Sequence, residues 1–185
     1  MRRAVFLDKD GTLVHDVPYN AEPDRVRLRE EAGAALRALQ TAGYALVLVS
    51  NQSGVALGRF AESALEPVWQ RIAEDLAAAG VALTGTYYCP HHPDGRGAYG
   101  IACDCRKPAA GLLQRAAERH GLDLPASWMI GDILDDVEAG HRAGCRAVLL
   151  DVNNETEWRR GPLRTPDFVA RDLIDAARHI AGHSS

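Results

Sequence analysis

Ala4-Val5-Phe6-Leu7-Asp8-Lys9-Asp10-Gly11-Thr12 is the stretch on which the reading of this chain turns. Four uninterrupted apolar residues suit a strand buried on both faces, as in a parallel sheet. The run ends in two carboxylates two residues apart, and Gly11 frees the backbone to turn tightly after them. Two acids just past a strand can share one small hard cation with water and a phosphate. Taken alone, an Asp-x-Asp-Gly stretch is equally a plain turn or a calcium loop. The remainder of the sequence has to choose between these.

Outward from that stretch, strands alternate with helices. Glu30 to Ala42 reads as a helix with Ala32, Ala35, Leu36 and Leu39 on one face and Gly43 as its stop. Ala45 to Val49 is a second buried strand, Glu62 to Ala79 a second helix, and Thr84 to Tyr88 a third strand. A Cys/His-rich loop follows, from Cys89 to Cys105. Pro108 suits the first position of a helix running to His120. Trp128 to Ile130 and Arg146 to Leu150 read as strands, with a short helix from Asp135 to Ala143 between them. A polar loop over 153–166 then leads to a last helix, Ala170 to Ile180. This alternation implies right-handed crossovers and a Rossmann-like three-layer α/β sandwich with a mainly parallel sheet. Residues 1–185 read as one domain, with the loop 89–105 inserted after the third strand.

Composition narrows the classes. Hydrophobic residues make up 46% of the 185, and the formal net charge is -4. No basic face stands out, which argues against nucleic acid as a partner. No apolar run approaches the ~20 residues of a membrane helix. The N-terminal apolar run is too short for a signal-peptide core, so a cytoplasmic protein is expected. Of 21 basic residues only Lys9 and Lys107 are lysine. Those two positions read as sites that need a compact point charge instead of a planar fork.

Ligands of such sheets bind beyond the carboxyl ends of the strands. Asp8 and Asp10, Ser50-Asn51-Gln52, Cys89 and His91, and Gly131-Asp132 with Asp135-Asp136 all follow strands, and Lys107 precedes a helix at the same edge. Three carboxylates with open positions make a magnesium site. Lys107 adds charge and Ser50 a hydrogen bond, the neutralisation that phosphoryl transfer needs. The order Asp8-Lys9-Asp10-Gly11-Thr12, Ser50-Asn51-Gln52, Lys107-Pro108 and Gly131-Asp132 resembles the haloacid-dehalogenase superfamily of phosphatases. The resemblance implies that Asp8 is a nucleophile forming an aspartyl-phosphate and that Asp10 is the acid/base. It implies that Asp8, Asp132 and the backbone carbonyl of Asp10 hold magnesium, that Ser50 and Lys107 grip the phosphoryl oxygens, and that Asp136 supports the site. Neither the stretch between Asp8 and Ser50 nor that between Ser50 and Lys107 has room for a separate cap. An open site is expected, rimmed by the Asp16–Tyr19 loop and the Cys/His loop, in a monomer.

Cys89-Pro90-His91-His92 and Cys103-Asp104-Cys105 offer four ligands for a closed, structural zinc site. Disulfides or unrelated thiols are the alternative, and His92 competes with His91, which fits the symmetric spacing better. Cys145 reads as a small buried residue. Together with Arg106-Lys107-Pro108, the Cys/His loop resembles that of the heptose 1,7-bisphosphate phosphatases and of their relatives, the histidinol-phosphate phosphatases. That resemblance implies zinc at Cys89, His91, Cys103 and Cys105. It also implies substrate contacts from Asp16, Val17, Pro18 and Tyr19, from Ser50, Asn51, Gln52 and Ser53, and from Arg106, a clamp for a remote phosphate on a small sugar bisphosphate. Ile133 departs from the pattern, since the heptose phosphatases commonly carry a polar residue, often Lys, there. A phosphorylatable receiver domain is the non-enzymatic rival; such a domain does not need an acid at Asp10.

Overall fold

Uninterrupted apolar runs become strands covered on both faces. The computed structural model describes residues 1–183. In it β1 (Ala4–Leu7), β2 (Ala45–Asn51), β3 (Gly85–Cys89), β4 (Trp128–Gly131), β5 (Arg146–Leu150) and β6 (Phe168–Ala170) form one sheet. All neighbours are parallel, in the order β3-β2-β1-β4-β5-β6. Successive strands first build outward from β1 to β3. The chain then crosses back to lay β4 against the other side of β1. This reversal leaves a crevice at the carboxyl ends of β1 and β4.

Helices α1 (Ala32–Thr41), α2 (Leu65–Ala78) and α5 (Leu173–Gly182) cover one face, and α3 (Gly111–His120) and α4 (Leu134–Ala143) the other. Alternate residues of β1 divide between the faces. Val5 and Leu7 pack with Leu36, Ile72 and Ile180, while Ala4 and Phe6 pack with Leu112, Leu113 and Ala116. The three-layer expectation therefore holds. No described helix is long and apolar enough to cross a membrane.

Three helices start three residues later than expected, while other boundaries move by one or two. Helix α3 starts at Gly111, not Pro108, because both backbone polar groups of Lys107 are bonded to the Asn51 side chain and the Gly111 amide turns back to Asp104. Ala170, expected to open the last helix, instead ends β6, which pairs with β5. Asp172, extended and accepting from the Asp175 amide at 2.7 Å, starts α5 only at Leu173. The first turn of the second helix, Glu62–Ala64, is a 3-10 turn ahead of α2.

Candidate active site

The sheet ladder extends one residue past β1, where the Asp8 amide donates to the Ile130 carbonyl at 3.0 Å. That bond aims Asp8 into the crevice beside Asp132, which follows β4. Gly11 sits at φ +81°, and a Cβ there would lie 2.2 Å from Asp132 Oδ2, so the turn after β1 closes onto Asp132 only with glycine. Thr12 Oγ1 donates to Asp132 Oδ1 at 3.2 Å and Asn154 Nδ2 to Asp132 Oδ2 at 2.7 Å. Gly131 serves the same packing, since a Cβ on it would overlap Asp136 at 2.1 Å.

Oxygens of Asp8, Asp132 and Asp136 lie within 4.8 Å of one another. Lys107 Nζ reaches Asp8 Oδ1 at 2.5 Å and Asp136 Oδ1 at 2.6 Å. Burial pushes Asp132 up to about 8, helped by repulsion from Asp8 and Asp136. Burial also raises Asp136, to about 7, against the pull of Lys107. Burial alone would lower Lys107, but Asp136 and Asp8 outweigh it and hold the ammonium above its ordinary value. Once all three are ionised, three carboxylates facing one ammonium leave an excess of two negative charges, which a divalent cation with oxygen preference cancels. The donor set therefore fits magnesium. Asp136 has Lys107 on one oxygen and the Ile133 amide at 3.4 Å on the other, as a supporting residue would.

The Asp10 carboxylate stands apart from this cluster. It faces the same hollow, with Lys9 Nζ 2.7 Å from Oδ1 and Gln52 Nε2 3.3 Å from Oδ2. Burial raises its pKa, against the pull of Lys9. A carboxyl that keeps its proton more readily than usual suits a proton donor.

A second cluster forms where the Cys/His loop closes. Cys105 Sγ lies 3.0 Å from Cys89 Sγ and 3.2 Å from Cys103 Sγ, with Cys89 and Cys103 3.5 Å apart. His91 Nδ1 approaches Cys105 Sγ at 3.4 Å and Cys89 Sγ at 3.7 Å. All three thiols are free of disulfides. Burial raises Cys89 and Cys105; Cys103 is half-buried, and there hydrogen bonds from Cys105 and the Arg106 amide outweigh desolvation and bring it down to about 7. Such a knot of thiols and one imidazole can hold a thiophilic metal ion. His92 turns away, its Nδ1 accepting from the Asp94 amide at 3.1 Å. Cys145 is buried alone, with its thiol raised to about 12 by burial.

Residues 104–176 match the HAD-hydrolase-like family. A D-glycero-beta-D-manno-heptose-1,7-bisphosphate 7-phosphatase from Haemophilus ducreyi is 40% identical, covering 97% of this chain and 98% of its own. The chain belongs to the haloacid-dehalogenase (HAD) family of phosphatases. A similarly named HAD relative from Haemophilus influenzae is 44% identical over 96% of each chain. The solved D,D-heptose 1,7-bisphosphate phosphatase of B. bronchiseptica, complexed with magnesium and phosphate, superposes with a TM-score of 0.84. It is 30% identical and covers 97% of this chain and 98% of its own. HAD phosphatases are magnesium-dependent hydrolases that work through an aspartyl-phosphate, and the carboxylate cluster around Asp8 suits that chemistry.

In this HAD phosphatase two hollows adjoin. One of 170 Å³ is lined by Asp8, Asp10, Asn51, Lys107, Asp132 and Ile133; the other, of 270 Å³, by Asp16, Pro18, Tyr19, Gln52 and Ser53. Val17 is half-buried outside both linings, its carbonyl accepting from the Asn20 amide at 3.1 Å. Ser50 is buried, with Oγ accepting from Gln52 Nε2 at 2.8 Å, and Asn51 is the neighbour that lines the hollow. Arg106 donates to Ser53 Oγ at 2.7 Å and to the His91 carbonyl at 3.4 Å, joining the Cys/His loop to the rim. A larger depression of 570 Å³ beside Tyr87 and Arg115 holds none of these residues. Sequence reasoning missed Asn154 and the Lys9–Asp10 pair. The lone lysine at 9 was the available signal for the pair; nothing in the spacing marked Asn154.

Proposed function

We propose that this HAD phosphatase removes the 7-phosphate of D-glycero-D-manno-heptose 1,7-bisphosphate. The observation that carries the reading is 40% identity, over almost the full length, to a phosphatase named for that reaction. The paired hollows support it, since the inner one suits a transferring phosphoryl group and the outer one, beside Arg106, a sugar with a second phosphate. A carboxylate oxygen of Asp8 attacks phosphorus as the bond to the sugar oxygen breaks. Asp10 protonates that oxygen, then takes a proton from the water that cleaves the aspartyl-phosphate. Lys107 neutralises the phosphoryl oxygens, and Ser50 with the neighbouring backbone hydrogen-bonds them. Asp8, Asp132 and the Asp10 carbonyl would hold magnesium, which would supply further charge neutralisation at the phosphoryl group.

We assign zinc to Cys89, His91, Cys103 and Cys105, as a structural ion. The setting we propose is a single domain over residues 1–185, acting as a monomer on a small diffusible metabolite in the cytoplasm. Steady-state kcat/KM with magnesium on the heptose bisphosphate and on histidinol phosphate tests the substrate. The heptose bisphosphate should be preferred by about tenfold or more, and equal or reversed preference would overturn the assignment.

A further inference from the structure

The chain writes arginine at nearly every basic position, yet the residue between Asp8 and Asp10 is lysine, and it is 1% exposed. Burying an ammonium is costly unless it is paired. The Lys9 carbonyl accepts the amides of both Leu13 and Val14 at 3.0 Å, which curls the chain sharply after β1. Within that curl Nζ lies 2.7 Å from Asp10 Oδ1 and 5.6 Å from the centre of the Trp69 ring on α2. Gln52 Nε2, from the end of β2, meets the other Asp10 oxygen at 3.3 Å. The carboxylate is thus held from two sides by groups anchored in different elements.

We propose that Lys9 is a positioning residue for the acid/base: its buried ammonium fixes the Asp10 carboxylate in the orientation that both proton transfers need. The inference rests on the acid/base reading of Asp10. A freely rotating Asp10 would still be present and ionisable, but would reach the leaving oxygen and the hydrolytic water in only a fraction of encounters. Position matters to such transfers because the carboxylate must come within hydrogen-bond reach of the moving proton. The compact ammonium also leaves the hollow open.

Lys9→Met keeps the length and apolar stem of the side chain and removes the donor. On the sugar bisphosphate its kcat should fall by about 10- to 100-fold, a part of what acid/base catalysis contributes, with KM changed less than about threefold. p-Nitrophenyl phosphate separates the two steps, because its leaving group needs little protonation. With it, the first step should survive and water attack should slow, giving a burst approaching one p-nitrophenolate per enzyme. Lys9→Gln, which keeps a neutral donor in the buried slot but loses the charge, should show the same division with a smaller fall in kcat, and serves if the Met variant does not fold. Wild-type kcat in the folded variants, or an equal fall in both steps without a burst, would overturn the proposal. Asp10→Asn runs in parallel. Full activity there would overturn the acid/base reading itself, whereas an inactive Asp10→Asn beside a fully active Lys9→Met would overturn only the role of Lys9.

Discussion

Lys107 lies between Asp8 and Asp136 and is 3% exposed. Lys107→Met leaves two buried carboxylates without their cation, and breaking such a pair costs about 3–5 kcal/mol. Denaturant unfolding of the metal-free variant should show a loss of that size, with turnover down by about a hundredfold or more. Asp8→Asn should behave differently, because it thins a crowded group of like charges. Its metal-free melting temperature should equal or exceed the wild type's while turnover is lost, as calorimetry beside a phosphate-release assay would show. Asp8, Asp10, Lys107 and Asp132 were legible because each stands at a fixed place relative to a strand or helix. Asn154 was not, although it donates to Asp132 at 2.7 Å. It lies in an irregular loop, where no periodicity says which way a side chain points. The double bond of Asn51 to the Lys107 backbone was hidden for a related reason: it joins residues 56 positions apart.

Among the elements, the Cys/His loop carries the clearest expectation. It hangs on the core by Tyr99, whose hydroxyl donates to Glu62 at 2.5 Å, by the Arg96 amide on the Ala56 carbonyl at 2.9 Å, and by Arg106 on Ser53. Cys105 stands two residues before Lys107, so disorder at the Cys/His cluster is transmitted directly to the active site. Cys103→Ser should lower bound zinc well below one per chain, reduce the melting temperature and weaken turnover. Metal analysis and thermal unfolding check this, and stoichiometric zinc in the variant would exclude Cys103 as a ligand. The long apolar runs made most of the sheet legible. The three residues of β6 were too few for a pattern, and Phe168 and Val169 fit a helix lead-in equally well until β5 offered its free edge. Pro108 is a good helix opener, but Asn51 had already claimed the peptide groups before it.

Across the molecule, the surplus of negative charge at the crevice links folding, protons and magnesium. In the folded metal-free protein Asp132 and Asp136 are raised to about 8 and about 7. In the unfolded chain both titrate near 3.9, an ordinary aspartate value. Between those values the folded state holds more protons than the unfolded one, so this contribution to stability falls as pH rises. The loss begins above about pH 4 and is complete above about pH 8. Magnesium competes with those protons, so the gain in melting temperature on adding saturating magnesium should be small at pH 5 and much larger at pH 8. A gain independent of pH would mean that the cation binds elsewhere. The strand order has a consequence for biosynthesis. Asp8 is synthesised well before the strand that completes its crevice on the far side of β1, with Thr12 and its partner Asp132 120 positions apart. A nascent chain therefore carries Asp8 without its crevice until β4 has been made, and the cluster assembles in one step, when β4 docks.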